Sequence, residues 1–224
     1  MPTSTEGRRP LKSRDIPFFK SLAETLARVG VPPNVISFAS IIFAGAAGLA
    51  LASTACTHGI AVRLAWLSAA AFIQLRLLAN MLDGMVAVEG GRGGPTGELW
   101  NEAPDRVADT FIFIGAGYAA GSSPLLGFAA ALMAVFVAYV RALGASVGAG
   151  QIFVGPMAKP HRMFALTVLS LAGAIFPRHM AAPLAPGAPP TVVVIVLALI
   201  ILGCAITAIR RLARIAAFLR VKAS

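Results

Sequence analysis

The sequence predicts an all-α membrane protein with several spans, because it is apolar, poor in charged residues and divided into long apolar runs. Of its 224 residues, 58% are hydrophobic and 12% are charged, and the mean hydropathy is +0.81. A soluble domain usually carries about 25% charged residues. Helices are the expected spans, since lipid cannot satisfy free backbone groups and the alternation typical of membrane barrel strands is absent.

Six apolar runs predict six transmembrane helices. They cover residues 35–55, 63–83, 104–121, 124–147, 161–177 and 191–210. Small residues recur in these runs and predict close helix packing. They are Gly45, Gly48, Gly117, Gly121, Gly144 and Gly148.

An amphipathic helix is predicted before the first span, over residues 15–29, where apolar side chains recur at helical spacing. It lies either in the membrane interface or packed on the bundle. Gly30 and two prolines end it, and Asn34 is the predicted N-cap of the next helix. The predicted organisation has three parts. They are a basic and amphipathic segment (1–34), a six-helix transmembrane domain (35–213) and a basic tail (214–224).

The net charge of +10 is concentrated at the two ends of the chain. Basic residues flanking membrane spans mark the cytoplasmic side, so both termini are predicted to be cytoplasmic, in a bacterial-type inner or plasma membrane. The same location argues against nucleic acid as a partner and for the anionic surface of a lipid bilayer.

Acidic residues gather in one stretch of the chain. Six of the nine lie between residues 83 and 109, at the predicted cytoplasmic end of the second and third spans. Helical spacing places Asn80 with Asp83, and Asn101 with Asp105 and Asp109. Facing helices would bring these oxygen ligands together, which suits Mg²⁺ or Mn²⁺ and hence phosphate chemistry. The glycine-rich loop between them, residues 89–97, would let backbone N–H groups approach a phosphate.

The same stretch resembles the signature of the CDP-alcohol phosphatidyltransferases, D-x-x-D-G-x-x-A-R, about eight residues, then G-x-x-x-D-x-x-x-D. Here the chain reads N-M-L-D-G-M-V-A-V, eight residues, then G-E-L-W-N-E-A-P-D. The matching positions are Asp83, Gly84, Ala87, Gly97 and Asp105.

Three positions depart from that signature. Asn80 and Asn101 replace two aspartates, and Val88 replaces the arginine. An amide oxygen can ligate but brings no charge, so metal affinity is expected to fall. In a second register, Asp105 and Asp109 become the last two aspartates, and Asp109 is therefore kept as a candidate ligand.

The resemblance implies transfer of a phosphatidyl-type group from a CDP-alcohol, usually CDP-diacylglycerol, to an acceptor alcohol, with release of CMP. It implies that the aspartates hold one or two divalent ions, Mg²⁺ or Mn²⁺, on the pyrophosphate. Asp83 is then a ligand, and Asp105 is a ligand or the general base for the acceptor hydroxyl. Asn80 and Asn101 stand at ligand positions, and Gly84, Ala87 and Gly97 belong to the CDP-binding motif. A homodimer is also implied.

Four basic residues near the motif have two interpretations. Arg141, Lys159 and Arg162 either bind the phosphate of a charged acceptor, such as inositol phosphate or glycerol phosphate, or are flanking cytoplasmic charge. Arg76, one turn before Asn80, either pairs with Asp83 or Asp105 or helps to bind CDP.

Other functions compete with the transferase. A family member that has lost catalysis through Asn80 and Asn101 would act in lipid binding or assembly. An intramembrane prenyltransferase also uses aspartates and Mg²⁺, but is usually longer. A small transporter would be expected to show internal repeats and charges near mid-membrane. This sequence shows no repeat, and its acidic residues gather at one membrane face.

Overall fold

The computed structural model describes residues 16–89, 96–181 and 190–223, which form eight helices. The predicted glycine-rich loop lies largely outside them. The helices are α1 (Pro17–Val29), α2 (Pro33–Ser53), α3 (Ile60–Glu89), α4 (Gly97–Gly117), α5 (Pro124–Ser146), α6 (Lys159–Ile175), α7 (Pro177–Met180) and α8 (Val192–Ala223).

Six long helices form a closed ring in the order α2, α3, α6, α8, α5 and α4. Each predicted apolar run falls on one of them. Four of the described helices, α2, α3, α5 and α8, are long and apolar enough to cross a membrane. The chain is therefore a polytopic α-helical membrane protein. Helix α4 carries the acidic residues and α6 has 17 residues, short of the roughly 20 that a span needs, so the count of six spans stays a prediction.

The predicted amphipathic helix is confirmed as α1, which packs on α3. Ala23 is buried in this contact, and Gly30 ends the helix in the left-handed conformation (φ +87°). Its location in the membrane interface stays a prediction. The N-cap prediction was wrong: α2 begins at Pro33 with Pro32 as its N-cap. Proline suits the first turn because the N–H it lacks would have no helical partner.

Helix α8 continues well past the predicted end of the last span at residue 210. It runs through the basic residues to Ala223, so the predicted boundary at residue 214 falls inside it. Arginine, lysine and alanine are good helix formers, so the change from apolar to basic sequence does not end the helix.

Large apolar side chains cover the outside of the ring, as expected for a surface in contact with lipid. Leu49 and Leu125 are 75% and 76% exposed. Small residues form the contacts between helices instead, since tight backbone approach drives helix association in lipid. The predicted small-residue packing is seen at Gly48 of α2, which lies against Phe111 and Gly115 of α4.

Gly48→Ala is expected to destabilise the protein by about 1–3 kcal/mol, because overpacking forces neighbouring atoms apart. A Cβ at this position would lie 2.5 Å from the backbone oxygen of Phe111. Gly45→Ala is the matched control, since a Cβ there meets no atom within 4 Å. Unfolding in detergent would compare the two variants, and equal stability would contradict the described crossing of α2 and α4.

Candidate active site

A cluster of polar side chains lies between α3, α4 and α6, near the end of the ring where α3 ends and α4 and α6 begin. Helical spacing arranges it in two layers, because residues three or four apart share a face. We call Arg76, Asp109 and Arg162 the inner layer. We call Asn80, Asp105 and Lys159 the outer layer; each lies three or four residues from its inner partner along the same helix.

The inner layer is a buried ion-pair triad. Asp109 Oδ1 accepts from Arg76 Nη2 at 2.7 Å, and Asp109 Oδ2 accepts from Arg162 Nη2 at 2.9 Å. The exposed fractions of Arg76, Asp109 and Arg162 are 0%, 1% and 2%. Both oxygens of Asp109 are thus occupied by guanidinium groups that bind α3 and α6 to α4.

In the outer layer, one ammonium group bridges two of the predicted ligands. Lys159 Nζ donates to Asn80 Oδ1 and to Asp105 Oδ2, each at 2.5 Å. The other oxygen of Asp105 accepts from Arg76 Nη2 at 3.2 Å. Of the two interpretations of Arg76, the structure supports pairing, with Asp105 and Asp109 as the partners.

Asp83 lies beside the outer layer with one oxygen satisfied and one not. Its Oδ2 accepts from Ser37 Oγ of α2 at 2.7 Å, whereas its Oδ1 is buried and has no partner among the described residues. Leaving a buried carboxylate oxygen unsatisfied is unfavourable. This oxygen is therefore suited to a cation, and hard oxygen donors such as Asp83 suit Mg²⁺ or Mn²⁺.

The described residues supply few further metal ligands besides Asp83 and Asp105. Asn101 lies on α4, four residues before Asp105, and its side chain is outside the part of the chain that the structure describes. Among the described residues, no group of three His, Cys, Asp or Glu residues could hold a metal ion. Within this part of the chain, a metal ion would have amide, backbone, water or substrate oxygens as its ligands besides Asp83 and Asp105.

Arg141 of α5 stands at the edge of the cluster. It donates to Glu102 of α4 and, at 3.0 Å, to Gln151 Oε1. Its guanidinium carbon lies 5.8 Å from the centre of the Phe153 ring. Glu102 also accepts from Arg106, and its side chain is 46% exposed. An anionic ligand could replace this exposed carboxylate as the partner of Arg141.

The other predicted site residues have less defined surroundings. Gly84 follows Asp83 on α3, Ala87 lies one turn later, and Gly97 is the exposed first residue of α4. Val88, where the family signature has arginine, is exposed on α3. Their roles stay predictions.

Sequence reasoning missed two contacts. Ser37 lies at the start of α2, in the stretch P-P-N-V-I-S, and no local signal indicates its bond to Asp83 across 46 residues. Glu102 was recognised as part of the acidic stretch but not as the partner of Arg141, 39 residues away.

Comparison with known proteins gives one clear relative and a shared fold. No protein-family model matches the chain. Over 168 residues it is 31% identical to archaetidylinositol phosphate synthase from Aeropyrum pernix, covering 75% of this chain and 80% of that protein.

The structure is similar to phosphatidylinositol phosphate synthase from Mycobacterium tuberculosis. The form with CDP-DAG bound has a TM-score of 0.67 and 20% identity, covering 88% of this chain and 92% of that chain. The complex with manganese and citrate has a TM-score of 0.68 and 21% identity, covering 88% of each chain. At this level of identity the likeness shows the fold.

Proposed function

The chain belongs to the CDP-alcohol phosphatidyltransferase family, and from that membership and the charges around its site we propose that its acceptor alcohol is an inositol phosphate. It is an enzyme of phospholipid biosynthesis that transfers a phosphatidyl-type group from a CDP-alcohol to an alcohol and releases CMP. Its cofactor is Mg²⁺ or Mn²⁺. The donor is proposed to be CDP-diacylglycerol, which is bound in one of the M. tuberculosis structures.

The single observation that carries the proposed acceptor is the excess of cations around the site. Among the described residues of the site, five basic side chains accompany four carboxylates, which leaves a net charge of +1 (5 − 4) before any metal ion binds. The basic residues are Arg76, Arg106, Arg141, Lys159 and Arg162, and the acidic ones are Asp83, Glu102, Asp105 and Asp109. An acceptor that brings its own phosphate would be favoured here over a neutral alcohol. The A. pernix relative points to inositol phosphate among such acceptors.

Three residues of the site then have a proposed role in the reaction. Asp83 would bind the divalent ion, whose charge would offset that of the pyrophosphate. The oxygens of Asp105 accept from Arg76 and Lys159 beside it. Asp105 is the candidate general base because it is the carboxylate of the outer layer. Arg141 is proposed to bind the acceptor phosphate. It is partly exposed, and an anionic ligand could take the place of its exposed partner, Glu102.

The proposed topology has six spans, with the active site and both termini in the cytoplasm. The site end of the ring holds the start of α6 and the basic end of α8, where Arg211 donates to Val154 O and Val137 O. At the other end Arg63 donates to the last carbonyl groups of α6. This charge asymmetry supports the orientation. A catalytic domain over residues 35–213 and a homodimer complete the proposal.

Purified protein is expected to release CMP from CDP-diacylglycerol in the presence of Mn²⁺, with stimulation by inositol phosphate above glycerol phosphate, serine and free inositol. Arg141→Gln should raise KM for inositol phosphate by about tenfold or more, because it removes a hydrogen bond between charged groups. The control is Arg63→Gln, at the opposite end of the ring.

Stimulation by another alcohol of the panel would replace inositol phosphate as the acceptor. An unchanged KM in Arg141→Gln would remove Arg141 from the acceptor site. No release with any acceptor, from folded protein, would favour a member that has lost catalysis.

A further inference from the structure

The site has lost two negative charges relative to the family signature. Four aspartates would carry a charge of −4, whereas Asp83 and Asp105 carry −2, because Asn80 and Asn101 are neutral. Two divalent ions would bring +4 into a mostly buried site. Since uncompensated buried charge is strongly unfavourable, two carboxylates are too few for two divalent ions.

The structure also places a cation among the predicted ligands. The Lys159 ammonium contacts Asn80 Oδ1 and Asp105 Oδ2, which are oxygens at two signature positions. An ammonium only donates, so both oxygens accept from it, and its positive charge opposes the binding of a divalent ion at the same place. Asp83 is different, because its Oδ1 has no partner among the described residues. Among the described residues, the carboxylate oxygen best suited to a divalent ion is therefore Asp83 Oδ1.

Contacts on both sides of Lys159 fix its backbone. It is the first residue of α6, and in the preceding loop the Met157 N–H donates to Thr207 Oγ1 of α8 at 3.0 Å. Gly155 approaches the same threonine so closely that a Cβ would lie 2.5 Å from Thr207 Cγ2. On the other side, Arg162 is bound to Asp109 at 2.9 Å and to Met157 O at 3.2 Å. The fold thus fixes the backbone position from which the Lys159 side chain reaches the site.

We propose that Lys159 is a resident cation that takes the place of one of two divalent ions, so that the chain binds a single Mg²⁺ or Mn²⁺ at Asp83. The inference rests on the proposed function, because it concerns the same site. It gives Lys159 a different role from the acceptor-phosphate binding that the sequence suggests, and it explains how Asn80 and Asn101 are compatible with a working site.

The test is the number of Mn²⁺ ions bound per chain, measured from the free Mn²⁺ signal in electron paramagnetic resonance, with purified protein and Mn²⁺ alone. Wild type is expected to bind one ion, and Asp83→Asn serves as the blank. Lys159→Gln should still bind one ion but about tenfold more tightly, since a like charge a few ångströms away is removed. Lys159→Met gives the same comparison should the glutamine variant not fold.

Restoring the two carboxylates distinguishes the effect of Asn80 and Asn101 from the effect of Lys159. Asn80→Asp with Asn101→Asp should bind one ion more tightly while Lys159 is present. The triple variant that adds Lys159→Gln should bind two. The proposal would be overturned by two ions or none in wild type, by two ions in the double variant, or by unchanged affinity in both Lys159 variants. The number of bound ions is measured without any lipid substrate, so its outcome is independent of the proposed acceptor. The acceptor is tested separately, by CMP release.

Discussion

Asp83→Asn and Asp105→Asn are each expected to lower metal-dependent CMP release by about a hundred- to a thousandfold, the effect of removing a preorganised charge from an active site. Asparagine keeps the shape of the side chain and removes its charge. Asp83 would keep its contact with Ser37, and Asp105 is anchored within α4, so the variants should stay helical and inserted in the membrane. CMP release and circular dichroism would be measured on the same preparations.

The matched control for this pair is Glu24→Gln. Glu24 is an exposed carboxylate on α1, so its loss tests whether removing any acid near the membrane lowers the activity. We expect activity close to that of wild type. Full activity in both aspartate variants would show that the site assignment is wrong.

Asp109→Asn is expected to reduce the free energy of unfolding by about 3–5 kcal/mol, the usual effect of breaking a buried ion pair by removing one partner. Asp109 bonds to two buried guanidinium groups, and only Arg76 has a second carboxylate nearby, Asp105 at 3.2 Å. Arg162 would be left without an acidic partner among the described residues. Unfolding of the detergent-solubilised protein by sodium dodecyl sulfate would measure the loss.

Glu102→Gln is the control for Asp109→Asn. Its ion pairs with Arg106 and Arg141 involve a carboxylate that is 46% exposed, and such pairs contribute about 0–1 kcal/mol. The comparison also distinguishes the two motif registers. If Asp109 were a metal ligand, Asp109→Asn would abolish Mn²⁺ binding and leave stability nearly unchanged.

The local pattern of the sequence predicted the helices and the faces of the site. Apolar runs located the six long helices, because a span needs a fixed length of apolar residues. The spacing of Arg76 with Asn80, and of Asp105 with Asp109, placed each pair on one helix face, because residues four apart adjoin in any α-helix. The end of α8 was missed, since helix propensity continues where hydropathy falls.

Contacts between the helices could not be predicted in this way. Asp109 was kept as a metal ligand because charge and spacing alone do not show that Arg76 and Arg162 flank it. The lysine between Asn80 and Asp105 comes from 79 and 54 residues away.

The sequence by itself determined that this chain is a helical membrane protein whose acidic and amide residues follow a transferase signature, because helix length and periodicity are local properties. Only the tertiary structure decided which carboxylates are paired with basic side chains, and which carboxylate oxygen, Asp83 Oδ1, has no partner among the described residues. That depends on the order in which the helices pack, which brings α6 against α3 and α4 and places Arg162 and Lys159 between them.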